Sequence, residues 1–127
     1  MISQAHRVLR PGGSIVISTE NLASWHNIFA LALGWQPFSL TNISSVISGV
    51  GNPMALHRGE SGQSTPMQHL RIFTIRALVE LLESQDFQVL STLGAGYYPL
   101  RKRLAEVACR YDKVHAAFII VKAIKQD

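Results

Sequence analysis

The chain holds one cysteine in 127 residues, few charged side chains, and no apolar run long enough to cross a bilayer. The lone thiol, Cys109, excludes an internal disulfide framework and suits a reducing, cytoplasmic compartment. Its place in a helical pattern reads as that of a small buried hydrophobe. The greasiest stretch, LASWHNIFALALGW at 22–35, is too short for a transmembrane segment and carries His26 and Asn27. It reads as a buried or half-buried helix, with a lid over a greasy substrate or membrane surface as the lesser alternative. No basic and apolar leader is evident, so no secretory signal is expected. The five histidines stand singly, without HExxH, HxH or CxxC spacing, which argues against a metal centre. There is no GxSxG elbow of a hydrolase.

What is present points to one globular domain over 1–127. Apolar residues make up 47% and charged residues 16%, enough for a real core and far from a disordered composition. The net charge of +4 is modest. Its densest part is Arg101-Lys102-Arg103 with Arg110 on a basic helix at 100–111, and Lys113 just beyond it. Without an aromatic RNA-binding signature or a finger motif, nucleic acid is not an expected partner. A basic adaptor surface for an acidic partner is a weaker reading of the same cluster.

The most informative segment is RVLRPGGSIVISTEN at 7–21. Ile2, Ala5, Val8 and Leu9 have helical spacing, and Pro11 cannot continue that helix. In Arg10-Pro11-Gly12-Gly13, proline supplies the fixed φ of a type II turn and Gly12 the positive φ that follows. Ile15-Val16-Ile17 is an unbroken β-branched run, expected of a strand covered on both faces over 14–19. A helix at 22–33 ends at Gly34. Residues 36–68 are rich in Ser, Gly, Asn and Pro and read as a long insertion or lid, with a short helix at 41–48. Thr74 caps a helix whose apolar face is Leu78, Val79, Leu81 and Leu82. Strands follow at 87–93, ended by Gly94-Ala95-Gly96, and at 116–123. The order is α/β, but only three strands are present, so the first strand is left with an exposed edge.

In open α/β sheets, ligands lie beyond the carboxyl ends of the strands. Those ends are Glu20-Asn21 and the stretch from Gly94 to Tyr98. His69 and Arg71 precede the Thr74 helix, where a polar substrate group could be held. Each has a plainer reading too. Glu20 and Asn21 could cap a helix, Tyr97 and Tyr98 could pack, and His69 and Arg71 could anchor the insertion. The glycines at 94 and 96 lack the third glycine of a nucleotide loop, and Pro99 follows; they read as a turn.

Three motifs, RVLRPGGSIVISTEN, HLRIFTIRALVELLESQDFQVLSTLGAGYYPL and HAAFIIVKA, resemble in order and spacing the C-terminal half of a class I S-adenosylmethionine-dependent methyltransferase. The resemblance implies a partial Rossmann-like fold with a three-stranded mixed sheet. The last strand would insert antiparallel between the other two, and Asp86 stands where the family usually has glycine. It implies methyl transfer to a small-molecule acceptor. The family's cofactor contacts lie before the point where this chain starts, so no residue here is assigned to S-adenosylmethionine. The chain would be an inactive, truncated, substrate-side portion wanting an N-terminal half. Positions that match acceptor contacts are Glu20, Asn21, Trp25 and His26 on the 22–35 helix, His69, Arg71, Tyr97 and Tyr98. Of these His69 and Glu20 are the candidate bases, and the others candidate substrate contacts. The alternative is a non-catalytic module that dimerises through the exposed edge of strand 14–19.

Overall fold

The computed structural model describes residues 2–61 and 71–126. Helix α1 (Ile2–Val8) runs into the RPGG turn, where Gly13 N donates to Arg10 O at 2.8 Å and Gly12 has φ +70°. The expected type II geometry is therefore formed. Strand β1 (Ser14–Glu20) follows, then α2 (Trp25–Ala32), with Gly34 at φ +72° ending it. Next come α3 (Ile75–Glu83), β2 (Phe87–Ala95), α4 (Lys102–Tyr111) and β3 (Phe118–Lys125).

The sheet order is β1-β3-β2. The last strand lies in the middle, as the resemblance implies, and it is antiparallel to both neighbours. The sheet is thus antiparallel at every pairing and not mixed. β1 and β2 run the same way but never touch, because β3 fills the place between them.

The expectation of a first strand covered on both faces is corrected. Ile15 and Ile17 turn toward the core, whereas Val16 is 63% exposed. The run of three β-branched residues hides this alternation, since the outward residue is as apolar as the inward ones. The core lies on one face only. Leu78 and Leu82, one turn apart on α3, close over Phe87, Ile119, Val121 and Ala123. Each large side chain buried there contributes about 1.5–3 kcal/mol. Thr74 caps α3 as anticipated, its hydroxyl accepting from Ala77 N at 3.2 Å. Asp86 adopts φ +57°, a left-handed conformation that explains why glycine suits this position.

Lys125 clasps the two ends of the fold. Its Nζ donates to His6 O at 2.9 Å and Leu9 O at 3.0 Å, satisfying carbonyls at the close of α1.

Other boundaries shift for local reasons. α2 starts at Trp25 and not at 22, because Asn21 Oδ1 accepts from Ala23 N and holds a turn first. β2 runs through Gly94 and Ala95, and the left-handed Gly96 ends it. α4 begins at Lys102, two residues later than expected. No helix forms at 41–48. A 3-10 turn at Phe38–Leu40 precedes an irregular, hydrogen-bonded loop instead. Buried Asn52 organises that loop by donating to Gln36 O and accepting from Met54 N, both at 2.9 Å. Among the described residues, no helix is long and apolar enough to cross a membrane.

Candidate functional site

The carboxyl ends of β1 and β2 come together through a polar knot that the sequence did not disclose. Trp25, first residue of α2, donates its indole N–H to Tyr97 Oη at 2.7 Å and to Asp112 Oδ2 at 3.2 Å. Tyr97 Oη in turn donates to Asp112 Oδ2 at 2.7 Å. His115 Nδ1 lies 2.9 Å from both Asp112 oxygens, and its ring stacks on Trp25 with centroids 4.5 Å apart. A carboxylate only accepts, so Nδ1 carries the proton; when the ring is neutral, the lone pair is on Nε2.

Burial alone would raise the Asp112 pKa. The hydrogen bonds from Tyr97, His115 and Trp25, with the His115 charge, outweigh it and bring the value down to about 2. Tyr97 moves the other way, raised first by burial and then by its bond to Asp112. Asp112 and His115 were absent from the expected site. Their only local signal is a D-x-x-H spacing at a helix end, which is too common to single out.

Beside the knot is an aromatic wall. The His26 ring meets Phe38 edge-on at 5.6 Å and Tyr98 at 5.2 Å. Burial lowers its pKa, favouring the neutral ring. Trp25, His26, Tyr97 and Tyr98 are therefore gathered at one end of the sheet.

Asn21 belongs there by position but not by role. It is completely buried, and its amide donates to Val114 O at 2.7 Å and Ala116 O at 2.8 Å. With Oδ1 engaged by Ala23 N, no part of the side chain is open to a substrate, and the plainer structural reading replaces the substrate contact. Its neighbour Glu20 closes β1, and Glu20 Oε2 is buried with no hydrogen-bond partner. Buried Asn27, overlooked in the sequence, joins Asn21 O to Ser39 and so docks the insertion against the strand end.

Arg71 is exposed and lines a different place, a cleft of about 470 Å³ against Ile17, Thr19, Phe73 and Leu81. His69 lies outside the described residues. Cys109 is partly buried on α4, short of the full burial expected, its thiol 3.5 Å from Gly96 O. Among the described residues, no group of three or more His, Cys, Asp or Glu could hold a metal ion.

Gly94, near the end of β2, does not fit a cofactor cradle. A Cβ on Gly94 would lie 2.6 Å from Ala116 Cβ and 3.0 Å from Lys113 Cα and O. The close approach that glycine permits is taken up by the chain's own backbone.

No protein-family model matches the sequence, and no curated protein matches it either. Among solved structures, the chain is similar to one assigned provisionally as an S-adenosylmethionine dependent methyltransferase from Listeria monocytogenes. The TM-score is 0.47 at 16% identity, over 99% of this chain and 54% of that one, so the chain spans about half its length.

Proposed function

We propose that this chain is the substrate-side portion of an S-adenosylmethionine-dependent methyltransferase that methylates a small-molecule acceptor. The observation that carries the reading is the order β1-β3-β2, with the final strand inserted antiparallel between two strands that run alike. That arrangement is what the sequence resemblance calls for. In this reading the cofactor supplies the methyl group and is held by polypeptide outside this segment, since Gly94 at the end of β2 is closed off by Ala116 and Lys113. The isolated chain is inactive.

The roles of the residues follow from their surroundings. Trp25, His26 and Tyr98 give an aromatic wall for an apolar or planar acceptor, and the Asp112 knot fixes the ring of Trp25. Arg71 is kept as a contact for a polar or anionic part of the acceptor. Glu20, with an unpartnered carboxylate oxygen at the strand end, is the proton acceptor favoured by geometry. His69 is retained as the other candidate on sequence grounds. Catalysis would then be mainly positioning, with proton removal added where the acceptor needs it.

Calorimetric titration of this chain with S-adenosylhomocysteine tests the division of labour. No saturable heat at millimolar ligand is expected, and micromolar binding would refute it. In an intact polypeptide carrying this segment, Glu20→Gln combined with His69→Ala should lower methyl transfer by about a hundredfold or more where the acceptor must lose a proton. Unchanged turnover would remove both from the site.

A second reading has its own observation. Among the described residues β1 pairs with β3 alone, apart from a parallel bridge of Asn21 to Phe73 just past its end, so a second copy could add to the edge at 14–19. Sedimentation velocity at tens of micromolar decides this, and a monomer there would refute pairing.

A further inference from the structure

The structure points to a function for α4 that the methyltransferase reading does not use: we infer that its outer face docks on an anionic lipid surface. Ala105, which is 6% exposed, turns α4 toward β2. On the opposite side stand Leu104, Val107 and Tyr111, at the i, i+3, i+7 spacing of one stripe, exposed by 61%, 50% and 89%. Leu100, in the turn just ahead of the helix, is 41% exposed.

Three apolar side chains in a row on a solvent-facing helix have no structural task. Their borders are basic. Helical spacing places Arg103 and Arg110 along one side of the stripe and Arg101 along the other. All three are exposed, and no carboxylate pairs with any of them among the described residues.

The occupant follows from size and charge. A helix of ten residues is about 15 Å long, and a single stripe along it offers far less than the roughly 800 Å² per partner of a stable protein interface. An anionic bilayer needs no such area. Its headgroups answer the arginines, whose stems lie along the apolar stripe while their heads reach outward.

Co-sedimentation with vesicles tests this, using phosphatidylcholine alone and phosphatidylcholine containing phosphatidylglycerol. The whole chain should bind the anionic vesicles, weakly at high salt, and leave the neutral ones. Leu104→Ser with Val107→Ser should weaken binding at least tenfold without moving the urea midpoint, since both side chains face solvent. Arg103→Gln and Arg110→Gln should each lower affinity about fivefold. Three results would overturn the inference. They are absence of vesicle binding, equal binding by the serine variant, and a dimer in solution that the serine variant abolishes. Equal retention on heparin by the wild type and the serine variant, with no vesicle binding, would reveal a plain polyanion surface instead.

Discussion

Replacing Asn21 by leucine measures how far the end of β1 is scaffold. The side chain makes two bonds to carbonyls, Val114 O at 2.7 Å and Ala116 O at 2.8 Å, and accepts one from Ala23 N at 3.0 Å. Leucine is similar in volume but can make none of them. A buried polar group left without a partner costs about 1–3 kcal/mol. Ala116 O sits in the fully buried bond and bears that cost in full, while water can reach the partly buried Val114 O and Ala23 N. The sum is about 3–4 kcal/mol. A domain of 127 residues has roughly 6–19 kcal/mol in hand, so Asn21→Leu should still fold. Urea unfolding followed by far-UV circular dichroism reads the loss as a lower midpoint at unchanged slope. Asn21→Asp sharpens the test. It keeps the acceptor for Ala23 N but sets a charged oxygen against two carbonyls, which pushes the carboxyl pKa up. The variant should be weakest near pH 7 and recover as pH falls and the carboxyl takes up a proton it can donate. A loss below about 1 kcal/mol for the leucine variant would show that Asn21 is not structural.

Three further outcomes follow from the same geometry. Asp86→Gly should stabilise by about 0.5–1 kcal/mol, since φ +57° strains any side chain; an unchanged urea midpoint would refute this. Gly94→Ala should cost about 1–3 kcal/mol, because its Cβ would lie 2.6 Å from Ala116 Cβ; a neutral effect would mean that the β2 end yields easily. The Asp112 pKa is depressed from its ordinary value near 4 to about 2, so its stabilisation is whole above pH 4 and lost as pH falls through 2. With about a third of the carboxylate exposed, that contribution is about 1 kcal/mol after solvent screening. Asp112→Asn should remove this acid dependence and shift the Trp25 emission, and an identical acid profile would count against the knot.

The local chemistry of the fold was readable in the sequence. Proline and glycine at 10–13 dictated the turn, Thr74 the cap, and the Leu78–Leu82 spacing the buried helix face. Each of these signals lies within four residues of its effect. The open second face of the sheet was not readable, because Val16 is apolar whichever way it points. The site was legible only in its parts. Tyr97 and Tyr98 could be named from their place at a strand end, and Trp25 and His26 only from the resemblance. The bonds that join them span 72 residues from Trp25 to Tyr97 and 87 from Trp25 to Asp112, distances at which no periodicity operates. Asn21 misled for the opposite reason. A polar residue at a strand terminus looks the same whether it faces a ligand or the protein's own carbonyls.

The central position of β3 sets the order in which this chain can take shape on a ribosome. β1 and β2 are synthesised first, yet they share no hydrogen bond, and each waits for the same strand. Until residues near Lys125 emerge from the exit tunnel, the two ribbons lack the strand that joins them. Ribosome stalling or proteolysis before Phe118 should therefore leave β1 and β2 unjoined and without Ile119 and Val121, which fill the core between them.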